Sequence, residues 1–129
     1  MILIVDDQKY TGTVLERLLR YTGHPAVCVT GGVDALAMLH LRKPALVILD
    51  QNTPDDVNTP ETDGLTVLRS IKEHDEFKDV PVLMYSTETK WDTILEAKRL
   101  GAVDFFIKGS NSYDVLITQI CKFAGEPVT

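Results

Sequence analysis

Residues 2–7 read Ile-Leu-Ile-Val-Asp-Asp, and the rest of the chain is best understood outward from this hexapeptide. Four consecutive apolar residues with no polar alternation mark a strand covered on both faces, as in a parallel sheet. Two carboxylates end it. Short apolar runs recur at residues 26–29, 45–49, 80–85 and 103–107, and longer stretches with helical spacing separate them. Val14, Leu15, Leu18 and Leu19 line one face of a first helix that Gly23 closes, and Leu36 and Leu39 mark a second that stops before Pro44. Asp63 is suited to cap a third helix carrying Leu65, Leu68 and Ile71. Ile94, Ala97 and Leu100 suggest a fourth ending at Gly101, and Leu116, Ile120 and Phe123 a fifth. Every strand is followed by a helix. The expected fold is therefore α/β, a doubly wound five-stranded parallel sheet with its crevice at the carboxyl ends of the strands.

The 129 residues, 44% hydrophobic and 25% charged, suit one domain with one core. A net charge of -6 opposes broad attraction to nucleic-acid phosphates, so no direct nucleic-acid partner is expected. Cys28 and Cys121 are far apart and without Cys-x-x-Cys spacing, which fits free, buried packing thiols in a reducing compartment. Residues 1–5 are too short an apolar run for a membrane helix and have no basic segment before them. A cytoplasmic protein without a membrane partner is the expectation.

The residues directly after the strands carry the chemistry. Asp6 and Asp7 follow the first, Asp50 the third, Ser86 and Thr87 the fourth, and Lys108 the fifth. Three carboxylates converging on one crevice repel one another unless a cation joins them, and a hard divalent ion, above all Mg2+, suits oxygen ligands. Mg2+ commonly completes its shell with phosphate oxygens, which points to phosphoryl chemistry. Asp50 could then act as nucleophile on phosphorus, with an ammonium and a hydroxyl to hold the phosphoryl oxygens.

The motifs ILIVDD, LVILDQN, PVLMYST and GAVDFFIKG, in this order and spacing, resemble the response-regulator receiver domain from Ile2 to about Phe123. The resemblance implies a flavodoxin-like (βα)5 sandwich with strand order 2-1-3-4-5, a receiver domain over residues 1–124 and a tail or severed linker at 125–129. It implies Asp50 as phosphoacceptor in phosphorelay signal transduction, and a metal site of Asp6, Asp7, Asp50 and the backbone carbonyl of Asn52. Ser86 matches the switch hydroxyl, Lys108 the phosphate-binding lysine and Phe105 the aromatic switch position. Asn52 and Glu88 match positions that tune dephosphorylation, which implies an aspartyl phosphate lasting minutes or less. The implied phosphodonor is a sensor histidine kinase or histidine phosphotransfer protein. The face of the fourth helix, fifth strand and fifth helix would bind a downstream protein target or effector domain, or a second copy in a phosphorylation-dependent homodimer. Self-phosphorylation and autodephosphorylation are then the only catalysis.

Two features depart from that pattern. Between Thr53-Pro54 and Asp63-Gly64 lie eight residues, 55–62, which lengthen the loop and add Asp55, Asp56 and Glu61. Lys108 is followed by Gly109 where proline is usual, so the peptide bond is expected to be trans.

Plainer readings stand beside these. Asp6, Asp7, Ser86 and Thr87 equally suit helix caps, Lys108 a surface lysine and Phe105 a core ring. His24, His40 and His74 are scattered without metal-ligand spacing and carry no assigned chemistry. Trp91 is read first as a partly buried packing residue and second as an exposed partner contact. Two alternative functions remain at this point, a pseudo-receiver that binds partners without phosphorylation and a Mg2+-dependent aspartate-nucleophile phosphohydrolase. The Asp50-Gln51-Asn52 sequence lacks the Asp-x-Asp nucleophile motif of the haloacid-dehalogenase type.

Overall fold

Continuous apolar runs give strands whose alternate residues enter two separate cores, one on each face of a single sheet. The computed structural model describes residues 1–51, 63–87, 90–109 and 113–124. Strands β1 (Ile2–Val5), β2 (Ala26–Val29), β3 (Leu46–Leu49), β4 (Val82–Ser86) and β5 (Asp104–Ile107) alternate with helices α1 (Lys9–Tyr21), α2 (Gly32–Leu41), α3 (Gly64–Glu73), α4 (Trp91–Arg99) and α5 (Tyr113–Ala124). All strand pairs are parallel, in the order β2-β1-β3-β4-β5, as expected. Ile2 lies opposite Ala26 on one side and Leu46 on the other, which brings the ends of β1 and β3 level.

Leu3, Val5, Val47, Leu49, Val82 and Met84 face α2, α3 and α4, where they meet Leu39, Leu68, Ile71 and Ile94. Ile2, Ile4, Ile48 and Leu83 face α1 and α5, packing on Leu15, Leu19, Leu116 and Ile120. Gly23, at φ 91°, closes α1, a left-handed conformation open to glycine at little cost. Asp63 caps α3 by accepting from the Thr66 amide at 2.9 Å. Among the described residues no helix is long and apolar enough to cross a membrane.

Several expectations need correction. The fourth strand begins at Val82 and runs through Ser86, later than the expected residues 80–85. Val80 belongs to a turn, its amide bonded to the Phe77 carbonyl at 2.9 Å, and Pro81 has no amide to give a ladder. Val103 likewise precedes β5. Cys28 and Cys121 are free but half-buried, not buried. Trp91, at the first turn of α4, is 69% exposed, not the partly buried packing residue expected. Among the described residues no peptide bond is cis, and Gly109 takes φ 83°.

Candidate functional site

Parallel strands with level ends bring their following residues to one edge, and the polar side chains found there in the sequence meet in space. Asp6 and Asp50 are 2% and 3% exposed. Asp7 is exposed beside them, and one carboxylate oxygen from each of Asp6, Asp7 and Asp50 lies within 4.8 Å of the others. The Lys108 ammonium donates to Asp6 Oδ2 at 2.7 Å and to Asp50 Oδ2 at 2.9 Å. Its backbone amide donates to the Ser86 carbonyl at 2.8 Å, so the β4 end fixes where the β5 end delivers its lysine. The Ser86 side chain is fully buried at the same edge.

The electrostatics follow from this crowding. Burial pushes the Asp6 carboxyl up to about 6, with the Asp50 charge adding and the Lys108 and Gln8 hydrogen bonds opposing. Burial and then Asp50 also raise Asp7. Burial works to lower Lys108, but its hydrogen bonds and charge pairing with Asp6 and Asp50 outweigh that and raise it. One ammonium thus serves a group of three carboxylates, and the remaining negative charge suits a hard cation. Among the described residues at this edge, these three acids are the ones able to hold a metal ion.

Of the expected site residues, Asp6, Asp7, Asp50, Ser86 and Lys108 gather at this edge. Phe105 stands apart from them, its ring 8% exposed in the core shared with α4, and it pairs with Met84 in the ladder. Asn52, Glu88 and the loop extension 55–62 lie outside the described residues.

Three contributors were missed by sequence reasoning. The Tyr85 ring lies 5.7 Å below the Lys108 ammonium; burial and the neighbouring Tyr113 hold its phenol up to about 12. Gln51, directly after Asp50, ties the start of α3 to the end of β3. Its amide donates to Asp63 Oδ2 at 3.1 Å and accepts from the Leu65 amide at 3.0 Å, while its carbonyl accepts from the Gly64 amide at 2.7 Å. Gly64 is the third: a Cβ there would run into the Asp50 carbonyl and Gln51 Cα. Adjacency to Asp50 was the available signal for Gln51, and the Asp-Gly pair for Gly64.

The family model of the response regulator receiver domain matches residues 2–120. The two-component response regulator ORR3 of Oryza sativa subsp. japonica is 34% identical over 120 residues, covering 93% of this chain and 86% of that protein. Among solved structures, the receiver domain of NtrX from Brucella abortus superposes with a TM-score of 0.81 at 31% identity, covering 96% of this chain and 98% of the other. The Mn(2+)-bound form of the response regulator Rcp1 gives a TM-score of 0.79 at 27% identity over 99% of this chain and 96% of its own. Sequence, strand order and the acidic crevice thus agree, and the chain belongs to the receiver domains of two-component response regulators.

Proposed function

We propose that this receiver, spanning residues 1–124, is a Mg2+-dependent phosphoacceptor switch in the cytoplasm. The observation that carries the reading is the position of Asp50, buried at the strand edge with its carboxylate bonded to Lys108 and crowded by Asp6 and Asp7. An Asp50 oxygen attacks the phosphorus of a phosphohistidine on a sensor histidine kinase or histidine phosphotransfer protein. The P–O bond forms, the P–N bond breaks, and the imidazole nitrogen leaves with the electron pair. Asp6, Asp7 and Asp50, with the backbone carbonyl of Asn52, would hold Mg2+, whose charge when bound stabilises the phosphoryl oxygens. Burial of Asp6, with the charge of Asp50 beside it, holds its carboxyl up, a cost that a bound cation would offset, and the Mn(2+)-bound form of the related Rcp1 supports that fit.

Lys108 exchanges its bond to Asp50 for one to a phosphoryl oxygen, and the Ser86 hydroxyl donates to another. These contacts exist in one conformation only, so phosphorylation shifts the population toward it. Phe105 reorients with Ser86 and alters the face of α4, β5 and α5 that meets a downstream target, an effector domain or a second copy. Asn52 and Glu88 guide the hydrolytic water and limit the aspartyl phosphate to minutes.

The test is intact mass after incubation with Mg2+ and acetyl phosphate, beside Asp50→Ala and a chelator control. The expected result is one labile phosphoryl group, in the wild type with metal only. No uptake from acetyl phosphate or from a histidine kinase would replace this reading with a pseudo-receiver.

A further inference from the structure

At the edge of the sheet opposite Asp50, the end of α2 meets the end of α3. His40 lies in the last turn of α2, and His74 is the residue that caps α3. Phe77, buried beneath them, organises both rings. His74 stacks on it with centroids 4.5 Å apart, His40 meets it edge-on at 4.9 Å, and the two imidazoles are 5.3 Å apart, edge to face. Glu76 follows two residues later, its backbone amide donating to His74 Nδ1 at 3.2 Å. One ligand atom from each of His40, His74 and Glu76 lies within 4.8 Å of the others.

We propose that His40, His74 and Glu76 form a second metal site, for a borderline divalent ion of the zinc class, remote from the phosphoacceptor. Two imidazoles and a carboxylate are the donors such ions take, leaving positions for water, whereas Mg2+ prefers oxygen alone. The two edges of the sheet therefore select different ions. Two helix C-termini converge on this site, and their carbonyl ends carry partial negative charge that favours a cation. Both rings already rest on Phe77, so little side-chain freedom is lost on binding. Packing on Phe77 accounts for the rings alone; it gives no reason for a carboxylate at the third corner.

The hydrogen bond from the Glu76 amide supplies a reporter. In neutral His74 it leaves the ring proton on Nε2. A metal at Nδ1 takes the lone pair that accepts this bond, and a metal at Nε2 sends the proton to Nδ1. Either way the Glu76 amide loses its partner. Because the ion needs unprotonated imidazoles, its affinity falls as the solution is acidified.

The experiment is a Zn2+ titration of the intact chain in excess Mg2+, added to compete for the Asp6, Asp7 and Asp50 group, followed by nitrogen-15 NMR of the histidine rings and backbone amides. The expected result is saturation at one equivalent, with the His40 and His74 ring nitrogens and the Glu76 amide shifting together. Tm should rise by roughly 5–10 °C at a hundredfold excess over Kd. Glu76→Gln, at an exposed position, should keep the metal-free Tm, and both it and His40→Gln, which also gives up its ring contact with Phe77, should weaken zinc binding by about tenfold or more against their own metal-free states. Zinc shifts confined to the surroundings of Asp50, or His40→Gln binding zinc as tightly as wild type, would overturn the site. These readouts do not depend on phosphorylation.

Discussion

Two half-buried lysines occupy opposite edges of the sheet and meet different partners. At the amino edge the Lys72 ammonium donates to the carbonyls of Lys78 at 3.2 Å and Val80 at 2.8 Å, while its stem lies 3.5 Å from where a Gly101 Cβ would stand. Burial lowers its pKa, with Asp79 opposing only in part. At the carboxyl edge Lys108 meets two buried carboxylates, and its pKa is raised despite burial. The first lysine fastens a turn with neutral acceptors. The second balances charges that the fold has taken out of water and compensates incompletely, since Asp6 still sits near 6. Lys72 thus holds a turn through neutral acceptors, whereas the edge around Lys108 keeps a carboxylate whose charge is costly in its buried place.

Replacing each lysine by methionine is the strongest way to break this contrast. Lys108→Met leaves Asp6 and Asp50 buried without their shared donor and should cost about 3–5 kcal/mol at neutral pH, the range for an ion pair broken on one side. Lys72→Met removes a charge that neutral carbonyls hold and should cost ~1 kcal/mol. Urea denaturation measures both. Equal losses would mean that the two edges do not differ in the way their pKa directions say.

The next largest effect is a pH dependence. The folded pKa of Asp6 is about 6, against 3.8 for the unfolded carboxyl, so between those values the native state binds the extra proton. Asp6 therefore favours folding fully below about 3.8 and loses that contribution as pH rises through about 6, a change of roughly 3 kcal/mol without metal. Subtracting the urea stability of Asp6→Asn from that of the wild type across this window isolates the group. A difference that falls with pH is expected, and one that rises would show Lys108 dominating Asp6. Added Mg2+ should restore much of the loss above pH 6, and a chelator should remove it.

The contrast between the edges also explains what was legible in the sequence. The sheet, its order and the polar residues at the strand ends could be read because burial on both faces forces continuous apolar runs, and strand ends follow from their counting. Asp6, Asp50, Ser86 and Lys108 all gather as their positions implied. The rest depended on packing between elements distant in the chain. His40 and His74 have no ligand spacing in sequence, because two helix ends and Phe77 bring them together. Val80 is apolar and buried yet lies in a turn, and Pro81 was the overlooked signal. Trp91 looked like packing material because periodicity cannot say how far a first helical turn projects from the body.

A pair of glycines gives a smaller test of the same contrast. Gly64→Ala places a methyl group against the Asp50 carbonyl and Gln51 Cα, rigid backbone that must move, at roughly 2–3 kcal/mol. Because that backbone carries Asp50, the proposed phosphoacceptor, acetyl phosphate uptake should slow as well. At the other edge Gly101→Ala meets only the Lys72 stem but strains a φ of 110°, at about 1 kcal/mol, with uptake unchanged. Denaturation and intact-mass kinetics on the two variants separate the costs.

The smallest effect expected is local and lies at Gln51. Gln51→Met keeps the length of a nearly buried side chain but removes the amide that holds Asp63 Oδ2 and the Leu65 amide. The backbone bond from the Gly64 amide to the Gln51 carbonyl remains, as does the Asp63 cap on the Thr66 amide, so α3 should keep its place and lose about 1 kcal/mol. Hydrogen exchange resolves such a change residue by residue. Exchange at the Leu65 amide should quicken by up to about tenfold, while Thr66 beside it changes less and Ile94 in α4 not at all. Equal acceleration at all three would mean that Gln51 supports the whole α3 side of the molecule, whereas a change concentrated at Leu65 identifies it as a clasp between the end of β3, one residue past Asp50, and the first turn of α3.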